Sequence, residues 1–155
     1  MKVHFVCTGN VYRSRLAEAY LNSKQLPGVD VSSSGILADL EYDYDGPINW
    51  SAMRLIFKYS LTPFMSLTPT QTTLELLHNA DLIIFMQGNH HQFSRQELGW
   101  VGTNYEVWHI EDMDRSTGYE DIEDFVNPKV IPLSEETFEK IREKVDDLAE
   151  RITTK

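Results

Sequence analysis

The chain has 155 residues, 41% of them hydrophobic, a net charge of −10 and a single cysteine. That length suits one domain, 1–155, able to bury about two-thirds of its unfolded surface. The charge excludes a surface that neutralises nucleic-acid phosphates, and one cysteine excludes both an intramolecular disulfide and a cysteine-based zinc site.

In chain order, Val3 to Val6 is a short apolar strand, and Ser14 to Lys24 reads as a helix ended by Pro27-Gly28. Val29 to Ser34 follows as a second strand, then helix-like segments at Ile48 to Tyr59 and Thr70 to His78. Ala80 to Met86 is a continuously apolar third strand, His90 to Leu98 a short helix, and Tyr105 to Ile110 an aromatic and β-branched fourth strand. The last helix is predicted to begin at Ser134 as N-cap, behind Pro132, with Glu135 and Glu136 complementing the helix dipole. Phe138, Ile141, Val145, Leu148 and Ile152 then make an apolar stripe that reads as core packing. Strands alternating with helices predict a parallel sheet covered on both faces.

In such a sheet, ligands bind beyond the strand carboxyl ends, where loops lead into helices. "VCTGNVYRSRLAEAY", Val6 to Tyr20, occupies that place after the first strand. Gly9 and Asn10 allow the loop to curl with its N–H groups inward, and the following helix start adds positive dipole. The same field suits a thiolate at Cys7. Ser14 can donate to the sulfur, and Arg13 supplies a planar fork that matches two phosphoryl oxygens. The bland reading, a lone cysteine packed at a strand end, is weakened by this offset of arginine and serine between a strand and a helix.

These residues resemble the low-molecular-weight protein tyrosine phosphatases, whose signature has the form V-C-x-G-N-x-C-R-S-P-x-A-E. "SSSGI" at Ser32 to Ile36 is similar to that family's S-A-G-T, and "ADLIIFM" to its A-D-L-I-x-x-M strand. The resemblance implies a three-layer α/β/α fold with a four-stranded parallel sheet, flavodoxin-like, in the order 2-1-3-4. It implies hydrolysis of phosphotyrosine protein or small aryl phosphate through a cysteinyl phosphate, with no cofactor and no metal. Cys7 would attack, Arg13 would clamp the phosphoryl group, and Thr8, Gly9, Asn10, Val11, Tyr12 and Ser14 would line the substrate site. Two positions depart from the signature: Tyr12 stands where it has a second cysteine and Arg15 where it has proline. Loss of that cysteine removes a protective disulfide partner. Arg15 adds charge beside the cradle, to hold an anionic substrate or to sit in solvent.

Phosphoryl transfer also needs a proton for the leaving oxygen and a base for the later water. "VWHIEDMD" follows the fourth strand and contains Glu111, Asp112 and Asp114. The family's acid lies in a W-x-I-x-D-P-like stretch, which puts Asp112 first, Asp114 second and Glu111 third. Met113 replaces the proline and leaves the loop less constrained. The long segment from Ile110 to Ser134 reads as a functional loop. Tyr119 and Phe125 in it, with Tyr42, Tyr44 and Trp50, are candidates to wall a cleft for a phosphorylated phenol.

His90 and His91 are adjacent, so on a helix they point about 100° apart and make a poor metal pair. His4 and His109 are read as satisfied histidines inside strands, and Asp81 as a local cap. No run of 18 apolar residues and no signal-peptide pattern is present. The expectation is therefore a cytoplasmic enzyme with no membrane partner, a monomer or weak dimer. The rival is a catalytically impaired phosphate- or phosphoprotein-binding protein on the same scaffold. A thioredoxin-linked arsenate reductase is excluded, since its disulfide cascade needs more cysteines.

Overall fold

The computed structural model describes residues 1–40, 46–113 and 130–154. Four strands form one parallel sheet in the order β2-β1-β3-β4: β1 Lys2–Cys7, β2 Asp30–Gly35, β3 Leu82–Phe85 and β4 Tyr105–Val107. The helices are α1 Arg13–Ser23, α2 Trp50–Lys58, α3 Leu74–His78, α4 Gly88–Gln96 and α5 Val130–Thr153. The expected order 2-1-3-4 is the observed one.

Alternation along the two central strands explains the layers. Val3, Phe5 and Cys7 of β1, with Ile84 and Met86 in and just after β3, join a core built with α1, α2 and α5. Val6, Ile83 and Phe85 point the other way, into a smaller core with Leu77 of α3 and Trp100. Both faces are thus covered, as buried parallel strands require. The stripe expected on the last helix is present: Phe138, Ile141, Val145 and Leu148 are buried against α1 and α2.

Several boundaries differ from expectation. The helix predicted from Thr70 begins at Leu74, with Thr73 accepting the Leu76 amide as its cap; residues 70–73 instead run beside β2, through bonds to Gly35 on both sides. α5 begins at Val130, not after Ser134, because proline needs no N–H acceptor in a first helical turn and Pro132 fits there. Ser134 is therefore a buried interior residue. Glu135 caps no helix end but pairs with Arg54 and Lys58 of α2, each at 2.6 Å. The fourth strand stops at Val107, and His109 lies exposed in a left-handed turn (φ 56°), not inside a strand.

His4 and Asp81 do what their positions suggest. His4 is buried in β1, its two ring nitrogens 2.7 Å from the hydroxyls of Ser32 and Ser34. Asp81 accepts the Lys2 amide at 2.7 Å, extending the β1–β3 pairing to the strand start.

At the opposite end, Cys7 stands beside Gly35 in the β1–β2 register. A Cβ on Gly35 would meet the Thr8 oxygen at 2.5 Å, the Asn10 nitrogen at 2.6 Å and the Gly9 carbonyl carbon at 2.8 Å. Only glycine lets the loop after β1 lie this close to β2. Replacing Gly35 by alanine should push the loop outward, lowering stability by about 1–3 kcal/mol and weakening binding of inorganic phosphate; urea denaturation and calorimetric titration of the same variant measure both.

Burial holds the His4 imidazole at about 4, down from 6.5. The unfolded chain therefore takes up the proton first as pH falls, so the His4 contribution is complete above about pH 6.5 and is lost progressively between there and about 4. In urea denaturation between about pH 7 and pH 5, His4→Gln should show a shallower loss of stability than wild type, by up to about 1.4 kcal/mol per pH unit. Equal slopes would show that His4 takes no part.

Candidate active site

The loop Thr8 to Tyr12 is shaped from behind. Its carbonyls are held by donors outside the curl: Cys7 by the Ile36 amide at 3.0 Å, Thr8 by Leu37 at 2.9 Å, Val11 by Asn49 at 3.0 Å and Tyr12 by Leu16 at 2.9 Å. The Asn10 carbonyl accepts from Arg15 at 3.1 Å. In a trans peptide the C=O and the following N–H point in opposite directions, and no cis bond is present among the described residues. Each carbonyl held outward therefore turns the next amide inward, toward the concavity above Cys7. The result is a nest of donors that continues into the start of α1, whose N-cap position, Tyr12, makes no side-chain cap.

Asn10 fixes the curl at its tightest point. It takes the left-handed conformation, φ 57°, which its amide side chain tolerates. That side chain donates to Ser14 at 2.8 Å and Ser33 at 2.9 Å and accepts the Thr70 amide at 2.8 Å. α1, β2 and the segment before α3 are thereby joined at one buried residue.

Cys7 Sγ lies 2.9 Å from Ser14 Oγ and receives the Asn10 N–H at 3.3 Å. The Asn10 amide already donates to Ser14 Oγ, which leaves the hydroxyl proton free to point at sulfur. Cys7 is 3% exposed, and both contacts can donate to a sulfur anion.

Arg13 is 2% exposed and held at both terminal nitrogens. Nη1 donates to Gln87 Oε1 at 2.5 Å and to the Ile110 carbonyl at 3.0 Å; Nη2 donates to Thr8 Oγ1 and Asp112 Oδ2, both at 3.3 Å. The Nη1 bonds are short and anchor the guanidinium. The Nη2 bonds lie beyond the usual range of about 2.7–3.2 Å, so this nitrogen is the one that can pass to a phosphoryl oxygen at least loss.

Behind Arg13 lies a pair that the sequence reading missed. His90 is fully buried, and burial with the Arg13 charge pushes it down to about 3, so the ring is neutral. Nδ1 accepts the Gln87 amide at 3.0 Å, which leaves the proton on Nε2, 2.9 Å from Thr8 Oγ1. His90 thus ties down Thr8 and Gln87, two of the four residues that hold Arg13. The sequence signal was the helix start after the third strand, where Gln87 and His90 form a reciprocal cap.

Asp112 is half exposed, at 52%, and its Oδ1 accepts the Met113 amide at 3.0 Å. Through Arg13 it stands on the same rim as Cys7. The loop that carries it continues the sheet pairing, with Trp108 donating to the Phe85 carbonyl at 3.0 Å and Ile110 to Met86 at 2.8 Å. Met113 is buried in the larger core, so apolar packing constrains the chain where proline was expected to be missed.

The departures inside the signature both face inward. Tyr12 is buried and its hydroxyl donates to the Ser134 carbonyl of α5 at 3.1 Å, which leaves its backbone amide as its means of touching a ligand. Arg15 neither sits in solvent nor reaches into the cradle: it is fully buried and bonded to backbone carbonyls. Trp50 is half-buried at the start of α2, next to the Asn49–Val11 bond. Asp114, Tyr42, Tyr44, Tyr119 and Phe125 lie outside the described residues.

Comparison with known proteins identifies the family and the fold. The chain is 30% identical over 102 residues to a protein-arginine-phosphatase of Bacillus subtilis, covering 64% of each protein. It is 57% identical over 37 residues to a protein-arginine-phosphatase of Geobacillus stearothermophilus, covering 24% of this chain and 25% of that one. Both matches thus span less than two-thirds of the relatives' own lengths. The fold is shared with the solution structure of a low molecular weight protein tyrosine phosphatase from Bacillus subtilis, at a TM-score of 0.72, 24% identity and coverage of 99% and 98% of the two chains. It is shared also with Vibrio vulnificus Wzb in complex with benzylphosphonate, at 0.71, 22% identity and 97% of each chain. The family model for low molecular weight phosphotyrosine protein phosphatase matches residues 2–155, and the chain belongs to that family.

Proposed function

We propose that the protein is a cysteine-dependent phosphomonoesterase acting on phosphotyrosine, in proteins or as small aryl phosphates, in the cytoplasm. The observation that carries this is one rim holding all the parts: Cys7 Sγ beneath a ring of inward amides, Arg13 fixed beside it and Asp112 within 3.3 Å of Arg13. Thr8, Gly9, Asn10, Val11, Tyr12 and Ser14 serve as the binding loop.

In the first step Cys7, as thiolate, attacks phosphorus while the bond to the leaving oxygen breaks. Asp112 in its protonated form gives that oxygen its proton. Loop amides and Arg13 Nη2 stabilise the equatorial oxygens as charge spreads over them. Ser14, through its hydroxyl, steadies the sulfur anion. In the second step water attacks the cysteinyl phosphate, its proton passes to Asp112, and the S–P bond breaks to release inorganic phosphate and the thiolate.

The relatives named as protein-arginine-phosphatases support a second substrate, the phosphorylated guanidinium, since the same acid can protonate a departing nitrogen. The acidic residues of the 111–124 segment, Glu111 and Asp112 first among them, favour neutral or basic surroundings of the phosphorylated residue in either case.

Burst kinetics on an aryl phosphate separate these readings. Wild type should show a burst, Cys7→Ser neither burst nor turnover, and Asp112→Asn a fall in kcat of about 10²–10⁴-fold for a general acid. Phosphate binding by wild type without burst or turnover, on aryl phosphate and on phosphoarginine alike, would instead select the phosphate-binding rival. His90→Ala should lower kcat/KM by about tenfold, as expected for losing one hydrogen bond near a charged group, while His90→Gln, which keeps a donor, should recover part of it.

A further inference from the structure

Arg15 is fully buried, yet its three hydrogen bonds among the described residues all go to backbone carbonyls. Nη1 donates to Asn10 and Pro47, each at 3.1 Å, and Nη2 donates to Ser66. Its Nε–H has no partner among the described residues. A buried cation without a carboxylate in direct contact is costly unless other groups compensate. Glu18, three residues on, is the nearby anion; its own carboxylate is buried and accepts from the Ser33 and Ser66 hydroxyls. Burial lowers the Arg15 value, while Glu18 and Cys7 act to raise it, so this cation lies within electrostatic reach of the sulfur. The guanidinium remains charged regardless.

The three carbonyls belong to three separate loops: the cradle, the approach to α2 and the segment after the short 3₁₀ turn at Thr62–Phe64. Among them the Asn10 carbonyl matters most. Asn10 is left-handed, so the chain turns sharply at the peptide that follows it, Asn10–Val11, and the direction of that peptide depends on what holds its carbonyl. The carbonyls of Cys7, Thr8, Val11 and Tyr12 are held by backbone amides; that of Asn10 is held by Arg15. Proline, the residue of the resembling signature at this position, has no donor to give.

We propose that Arg15 is a positioning residue of the phosphate cradle: by binding the Asn10 carbonyl it holds the Asn10–Val11 peptide with the Val11 N–H turned toward the phosphoryl oxygens. Through Pro47 and Ser66 it locks two neighbouring loops to that orientation. The proposal rests on the cradle binding phosphate, as put forward above.

Amide NMR during titration of the full chain with inorganic phosphate tests it. In wild type the Val11 amide should shift together with those of Thr8 and Gly9. In Arg15→Gln the Val11 response should fall away while Thr8 and Gly9 still respond, and phosphate affinity should drop by about tenfold, the loss of one charge-assisted hydrogen bond. Arg15→Lys, which keeps a cationic donor, should recover part of both. A merely structural role would lower the urea midpoint of Arg15→Gln but leave the phosphate affinity of the folded protein within twofold of wild type, and that result overturns the proposal. If Arg15→Gln does not fold, the wild-type titration decides: a silent Val11 amide beside responsive Thr8 and Gly9 overturns it. If no loop amide responds to phosphate, the phosphatase reading itself fails, independently of Arg15.

Discussion

The structure depends on one constraint: the carbonyls of the loop after β1 are bound from outside, so that its amides face in. A chain of consecutive inward N–H groups repels itself and has no partner of its own. It persists here because Ile36, Leu37, Asn49, Leu16 and Arg15 satisfy the opposite ends of the same peptides. Every one of those donors comes from an element whose place is set by the apolar core. The order β2-β1-β3-β4 puts β1 in the interior with a neighbour on each side, and the loop leaves it at the level of Gly35. Close approach at Gly35 then brings residues 36 and 37 within reach of the Cys7 and Thr8 carbonyls.

Charge follows the same logic of rear support. Arg13 and Arg15 flank Ser14 on the first turn of α1 and both are buried, yet they meet different surroundings. Arg13 is held by a glutamine and a carbonyl on one nitrogen and by longer bonds on the other. Its carboxylate partner, Asp112, is half exposed and lies on the nitrogen with the longer bonds, the one that can turn to an anion. Arg15 meets three backbone carbonyls through its terminal nitrogens, and these partners cannot leave. One arginine is arranged to exchange partners and the other to keep them. His90 belongs to this division of labour: kept neutral by burial and by Arg13, it adds no charge to the site and serves by the direction of its two nitrogens.

The strands and the loop are legible in the sequence because they depend on local pattern: short apolar runs, glycine and asparagine at a curl, cysteine six residues before arginine; the sheet order follows only from the family resemblance. The start of α5 is misread because Ser134 followed by two glutamates looks like a cap, whereas Val130 is buried one turn earlier and Pro132 is tolerated in a first turn. His109 was assigned to a strand that ends two residues sooner, where the chain turns left-handed to carry Ile110 and Asp112 back over the sheet edge. From sequence, Arg15 reads as holding an anionic substrate or sitting in solvent and Met113 as leaving its loop less constrained, because charge points to solvent or ligand and the absence of proline to slack. Only long-range packing shows that Arg15 meets three carbonyls and that Met113 enters the core.

The two substitutions inside the signature are coupled to different layers of the fold. Tyr12 turns outward from the cradle to the Ser134 carbonyl of α5, bridging 122 positions of sequence, and Arg15 turns toward loops on the β2 side. A cysteine at position 12 could reach neither the α5 carbonyl nor fill the same volume, so the tyrosine exchanges a redox function for a mechanical tie. That tie joins the N-cap of α1 to the helix that packs along it. Cradle, α1 and α5 are therefore one mechanical unit: a shift of α5 along α1 would pull on the residue between the inward-facing amides and Arg13.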